Sequence, residues 1–457
     1  MKHLKAIMLA AGKSKRMKTK TPKILHPIMG KPMIDYVLDS CDAAGIEEVI
    51  LVVGHEREKV MDYLEERVKY ALQEEQMGTG HAVMQAMPLL EDFSGDVIIL
   101  CGDMPLLSPD TLAVFINQHR KSESRVSLLT AIMGDPGKLG RIVRNKDGSV
   151  EKIVEAVDAT PDELKINEVN TGTYIFDADY LREILPAIGL PNAQKEIYLT
   201  DTILISREVG EKVFAMSCPD YRESLGVNSR ADMAKASKVI RERINHDLMM
   251  SGVTIYDPDN TYIEKTVEIG NDTVILPGCM IMGKTAIGSD CVIGPNSRIS
   301  NSKIARGSTV VESVLNEAEV GEENSIGPFA HMRPGSKTDK LVKVGNFVEI
   351  KKSTIGEDTK ISHLSYVGDA TIGKHVNIGA GTITCNYDGE RKHPTSIRDN
   401  VFIGSNTSLI APVVLGEGAR TGAGAVIRKD VPDWTLAVGR PARNIKKLEN
   451  PDDEIMK

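Results

Sequence analysis

The sequence predicts an α/β domain with a mostly parallel sheet, then a linking helix, then a parallel β-helix of six-residue repeats. Three observations carry this. Apolar runs ending in glycine alternate with helical patterns in the first half, a segment rich in Ala, Met, Lys and Arg follows, and aliphatic residues then recur every six positions. At 457 residues the chain exceeds one ordinary core, so two or three domains are expected.

In the first half, "KAIMLAAG", "EEVILVVG" and "GDVIILCGD" read as buried strands, and "KPMIDYVLDSCDAAG" has helical spacing. Strand, helix and strand in that order imply parallel pairing with right-handed crossovers. Ligands of such sheets sit at the carboxyl ends of strands, where Gly12, Gly54 and Gly102-Asp103 fall. The first of these ends runs into Lys13, Lys15, Arg16, Lys18, Lys20 and Lys23. Thr21 before Pro22 argues against one helix through them. Neither GxxxxGK[ST] nor GxGxxG surrounds Gly12, so spacing alone leaves a nucleotide site and a solvated charge run both open.

"SRADMAKASKVIRERINHDLMM", from Ser229 to Met250, has the apolar spacing of a helix. It divides the chain into residues 1–229, a linker at 230–250, and 251–457. In the last part Ile269, Ile275, Ile281, Ile287, Ile293 and Ile299 form one six-residue run. Ile397, Ile403, Leu409, Leu415, Thr421 and Ile427 form another. Such a run stacks its aliphatics inward in a solenoid, because a single repeat cannot bury its own face. Unrelated hairpins would require wider and less regular turn signals. "TCNYDGERKHPTS", Thr384 to Ser396, carries no inward aliphatic and shifts the phase, so it is expected to loop out, and such loops carry function. From about Trp434 the text reads as a tail that closes the solenoid and then frays.

The net charge of -8, from 56 basic and 64 acidic residues, gives no blanket attraction to nucleic acid or to an anionic membrane. Phosphate binding must therefore be local. No apolar run approaches a membrane span and no cleavage-like site follows the first strand, so a cytoplasmic location is expected. Six cysteines without a CxxC pair suit free thiols in a reducing compartment.

The opening stretch resembles the L-A-A-G-x-G-T-R-M…P-K signature of sugar-phosphate nucleotidyltransferases. Over both halves and the linker, the chain resembles the bifunctional bacterial enzymes that combine N-acetylglucosamine-1-phosphate uridylyltransferase with glucosamine-1-phosphate N-acetyltransferase. The blocks that carry this are "QMGTGHA", "CGDMPLL", "EVNTGTYIFD", "GVNSR", "GNFVEIKKS", "SHLSYVGDA", "NIGAGTITCNYDG" and "IGSNTSLIAPV". The resemblance implies a Rossmann-like nucleotidyltransferase domain and a left-handed parallel β-helix. It also implies synthesis of UDP-N-acetylglucosamine, a precursor of peptidoglycan and other envelope glycans.

For the first site the resemblance assigns Leu9, Ala10, Ala11 and Gly12 to the nucleotide backbone, and Arg16 and Lys23 to its phosphates. Gln73, Gly78 and Thr79 would read uracil. Gly140, Glu155, Asn170 and Thr171 would hold the sugar, and Asp103 with Asn228 would hold Mg²⁺, a hard cation suited to their oxygens. In-line attack of a sugar phosphate on UTP needs positioning and charge neutralisation more than a protein nucleophile. The sequence departs from the signature at Ser14 and Lys15, at Leu139, and at Lys195 and Ile197.

For the second site the resemblance assigns Arg333, Lys351, Tyr366, Asn377, Asn386, Tyr387 and Lys392 to glucosamine 1-phosphate. His363 would be the general base, since an attacking amine must lose a proton and imidazole titrates near neutrality. Glu349 would fix either the amine or the imidazole, and Cys385 is read as structural. Acetyl-CoA would lie along Ala380, Asn386, Tyr387, Ser405, Ala423 and Arg440, with Ser405 and Ala423 one coil apart. Family members form trimers, with this groove completed by neighbouring subunits. Two alternatives stand beside this: a nucleotidyltransferase whose β-helix only assembles the oligomer, and a nucleotide-sensing regulatory subunit. Against the first stand the polar residues gathered from Arg333 to Lys392, and against the second stand Asp103, Lys23 and Asn228.

Overall fold

The computed structural model describes residues 3–12, 15–189 and 196–448. The expected departures at Ser14 and Lys195, and the terminal "ENPDDEIMK", lie outside the described residues, as does the side chain of Lys15. The chain packs as two compact units, Met1–Ile240 and Arg241–Lys457, and the helix Arg230–Met250 belongs partly to each.

The N-terminal unit is built on one sheet. Its strand order is Val213–Ser217, Val126–Ile132, Glu168–Asp177, Asp96–Cys101, Leu4–Leu9, Glu48–Val53, Lys69–Leu72. All neighbours pair in parallel except Glu168–Asp177, which runs antiparallel to both of its neighbours. The strands "KAIMLAAG", "EEVILVVG" and "GDVIILCGD" pair side by side, and the expected helix is Met33–Ala43. Alternate residues feed two cores. Ala6, Met8, Leu51 and Val53 pack on one face, and Ile7, Ile50, Val52 and Ile99 on the other. Burial on both faces explains why these strands read as continuous apolar runs.

In the C-terminal unit each coil gives one short strand to each of three parallel sheets. The first six-residue run stacks as expected, with Ile269 on Ile287, Ile275 on Ile293 and Ile281 on Ile299. The coils then continue without a break through the stretch between the two runs. There the repeat shortens, with Ile287 on Ile304 and Val310 on Ile326. Shorter coils lose the six-residue phase while keeping an inward aliphatic in each strand.

The expected excursion is narrower than its sequence boundaries. Thr384 and Thr395 are buried in strands, as partners of Leu409 and Val413. Small β-branched hydroxyl residues replace aliphatics at these inward positions, and the backbone leaves the coil only between Cys385 and Thr395. The tail from Trp434 is more ordered than expected, since Thr435–Gly439 and Ala442–Lys447 form an antiparallel hairpin on the end of one sheet.

Candidate active sites

Parallel strands end on the same side, so their carboxyl ends gather residues distant in sequence. Leu9, Ala10, Ala11 and Gly12 line a cleft of about 380 Å³ with Lys23, Gln73, Gln76, Gly78, Thr79, Cys101 and Asp103. Gln76, which the sequence did not single out, donates from Nε2 to the Ala11 carbonyl at 2.9 Å and so fixes the turn after the first strand. The Lys23 ammonium is bonded to Asp103 Oδ2 and, at 3.1 Å, to Asn228 Oδ1. Asn228 is held at the start of the long helix. The Asp232 carboxylate accepts from Asn228 N at 3.2 Å and from the Ser229 hydroxyl at 2.8 Å, while Ser229 caps Asp232 N. A carboxylate and an amide oxygen converging on one cation form a donor set that fits a hard divalent metal. Among the described residues no group of three or more His, Cys, Asp and Glu could hold one.

Deeper on the same unit, Asn170 N donates to the Gly140 carbonyl at 2.9 Å. Gly140 lies against Glu155, so that a Cβ there would be 3.4 Å from Oε1. Burial pushes the Glu155 carboxyl above its usual range, partly offset by the Thr200 hydroxyl. Two residues depart from expectation. Thr171 is buried and its hydroxyl donates to the Leu129 carbonyl at 2.7 Å, so that hydroxyl ties strands together. Arg16 is exposed on a turn at Lys15–Met17 and is not among the residues lining the cleft.

On the β-helix, His331, Glu349, Tyr366 and Ile383 stack in consecutive coils of one sheet. Arg333 Nη1 meets Glu349 Oε1 at 2.8 Å. Asn386 Nδ2 donates to Asp369 and lies 3.5 Å from the Tyr366 hydroxyl. Gly368 leaves the room for this: a Cβ there would collide with the Tyr366 hydroxyl and sit 2.7 Å from Asn386 Nδ2. The excursion folds back as a bridge between Tyr387 and Lys392, with Asp388 accepting from the amides of Glu390 and Arg391. This sets Lys392 beside Lys351. The Lys351 ammonium is held below its ordinary value, first by Lys392 and then by Arg333. Three cations therefore share one exposed patch.

His363 ends its strand in register with Asn346, and its Nδ1 lies 2.7 Å from Asn346 Oδ1. Asn377 lies on that same sheet, between Lys360 and Phe402, and not on the sheet of Glu349 and Tyr366. The residues expected to receive the coenzyme stack at one corner. Asn406 N donates to the Ala380 carbonyl, Gly424 N to that of Ser405, and Arg440 Nε to that of Gly424 at 2.8 Å. Ser405, Ala423 and Arg440 are exposed along it. Burial raises the Cys385 thiol, which disfavours the thiolate a nucleophile would need.

Residues 5–221 match the nucleotidyl transferase family, and residues 266–301 and 394–429 match the bacterial transferase hexapeptide family of six repeats. Over 97% of the chain and 98% of the relative, the sequence is 50% identical to the bifunctional protein GlmU of Exiguobacterium sp. AT1b. It is 49% identical to that of Geobacillus sp. WCH70, over 98% of each chain, and 49% identical to that of Halalkalibacterium halodurans, over 97% of each. The chain belongs to the GlmU family. Its activities are accordingly those of a bifunctional GlmU transferase: acetyl transfer to glucosamine 1-phosphate and uridylyl transfer to N-acetylglucosamine 1-phosphate, giving UDP-N-acetylglucosamine. Among the described residues no helix is long and apolar enough to cross a membrane.

Proposed function

We infer that the cleft of the N-terminal unit carries the uridylyl step and the three-cation patch of the β-helix the acetyl step. In the first, a phosphate oxygen of N-acetylglucosamine 1-phosphate attacks the α-phosphorus of UTP and the bond to pyrophosphate breaks. Leu9 to Gly12 cradle the nucleotide, Lys23 and Arg16 neutralise phosphate charge, and Gly140, Glu155 and Asn170 hold the sugar. Asp103 and Asn228 would hold Mg²⁺, which would supply charge neutralisation for the phosphates.

In the second, the amine of glucosamine 1-phosphate attacks the thioester carbon of acetyl-CoA and coenzyme A leaves as the thiol. The Asn346 amide oxygen is an acceptor, so His363 carries its proton on Nδ1 and offers a free Nε2 lone pair to the amine. Arg333, Lys351 and Lys392 bind the sugar phosphate, with Tyr366, Asn386 and Tyr387 orienting the ring. Ala380, Ser405, Ala423 and Arg440 receive the coenzyme. His363 and Asn377 share one sheet while Lys351 and Tyr366 belong to another, which supports a trimer in which neighbouring copies complete the site. Free thiols at all six cysteines suit the cytoplasm.

The observation that carries the acetyl site is the crowding of Lys351 by Lys392 and Arg333, an arrangement that favours a bound phosphate and that a scaffold does not need. The test is thiol release from acetyl-CoA with glucosamine 1-phosphate in the wild type and His363→Ala, beside UTP-dependent pyrophosphate release. Loss of the first with retention of the second supports both sites. A wild type that releases pyrophosphate but no thiol sinks the acetyl site.

A further inference from the structure

We propose that His81 is a positioning residue for base selection: it fixes which end of the Gln73 amide faces the nucleotide, and so makes the cleft accept uracil and reject cytosine. This rests on the cleft being the UTP site.

The argument starts from Gly78. Its φ of 109° lies where side chains are strained, and a Cβ would sit 2.5 Å from the Ile197 carbonyl oxygen. Ile197 N donates to Met77 and Gly80 N donates to Ile197, at 2.7 and 2.8 Å, so the turn is clamped on both sides. The Gly78 carbonyl is thereby fixed 3.1 Å from Gln73 Nε2. A carbonyl can only accept, so the atom of Gln73 that meets it is the amide nitrogen. That nitrogen also lies 3.1 Å from His81 Nδ1. With one hydrogen directed to Gly78 and the other to His81, Nδ1 must offer its lone pair.

Neutral imidazole has one lone pair and one N–H, so Nε2 then bears the proton. Gln85 Nε2 lies 3.1 Å from His81 Nε2, and with the proton on that ring nitrogen the Gln85 amide must turn over to meet it through its oxygen. Gln73 is buried and lines the cleft, and no donor among the described residues meets its Oε1. The cleft therefore presents a fixed acceptor. Uracil offers N3–H to such an atom, whereas cytosine N3 is itself an acceptor and would face it lone pair to lone pair. Without His81 the Gly78 carbonyl alone opposes the turned amide, so the bias against presenting Nε2 is weakened.

The test compares two amides at one position. Asn at 81 can place an oxygen near the site of Nδ1, whereas Gln reaches toward the site of Nε2 and leaves the Nδ1 position empty. Pyrophosphate release is measured with UTP and with CTP for wild type, His81→Asn and His81→Gln. The expected result for His81→Gln is a higher KM for UTP with a smaller change in kcat, and at least a tenfold fall in the UTP-to-CTP ratio of kcat/KM. His81→Asn should keep the ratio within about threefold of wild type, since it restores an acceptor facing Gln73. An active His81→Gln with an unchanged ratio overturns the inference alone. A wild type that uses neither nucleotide overturns the uridylyl site, and this inference with it.

Discussion

Lys23 and Asn228 stand 205 positions apart in the chain and meet at 3.1 Å, with Asp103 on the same ammonium. The lysine balances one full negative charge and an amide dipole in a place largely shielded from water. Replacing Asp103 by Asn keeps the shape and removes the charge that a divalent metal would need. Pyrophosphate release should fall by about a hundredfold or more, corresponding to several kcal/mol of lost charge stabilisation. Thiol release from acetyl-CoA, measured on the same preparation, should not change.

Glu155 offers a test with a pH sign. Burial raises its carboxyl above 4.5, so above that value the folded state holds the proton more tightly than the unfolded state. Stability is therefore lost as pH rises through the raised value. Glu155→Gln should remove this dependence and raise the melting temperature of the N-terminal unit at pH 7 by on the order of a few degrees. The same variant should raise KM for N-acetylglucosamine 1-phosphate about tenfold, because a charged hydrogen bond to the sugar is lost. Calorimetry at two pH values with steady-state kinetics reads both effects.

Lys351 makes the opposite case. Its ammonium is disfavoured by Lys392 and Arg333, so between its depressed value and 10.5 the unfolded chain binds more protons and stability rises with pH. A phosphate dianion among these cations would restore the proton. Binding of glucosamine 1-phosphate at a pH a little below 10.5 should take up a fraction of a proton, seen by calorimetry in buffers of different ionisation enthalpy. Lys392→Met should reduce that uptake. Equal heats in every buffer would remove Lys351 from the phosphate site.

The sheet was legible in the sequence because both faces of Leu4–Leu9, Glu48–Val53 and Asp96–Cys101 are covered, which leaves unbroken apolar runs with glycine at their ends. The two regular runs of the β-helix were legible for the converse reason, an unbroken spacing. Its middle coils were not, since the step from Ile287 to Ile304 breaks the phase that a sequence pattern tracks. Thr171 was given a sugar role because its block resembles a sugar site as a whole, and only the fold reveals that its hydroxyl turns toward Leu129. Asn346 and Asp369 lay within resembling blocks, yet nothing in their identity marks a partner of His363 or of Asn386.

Asn346 gives the sharpest test of the acetyl step. Its amide oxygen lies 2.7 Å from His363 Nδ1, and the two residues occupy matching places in adjacent coils. The bond selects the tautomer with a basic Nε2 and holds the ring in orientation. Asn346→Ala removes the acceptor, so the imidazole can rotate and exchange tautomers. The expected outcome is a fall in kcat for thiol release of about ten- to a hundredfold, part of what a well-placed general base supplies. KM for either substrate should change little. Asn346→Asp retains an acceptor and adds charge, which favours the imidazolium. It should keep most of the activity while moving the acidic limb of the kcat/KM profile to higher pH. An Asn346→Ala enzyme with unaltered kcat, or an Asn346→Asp profile that does not move, would remove Asn346 from the acetyl step.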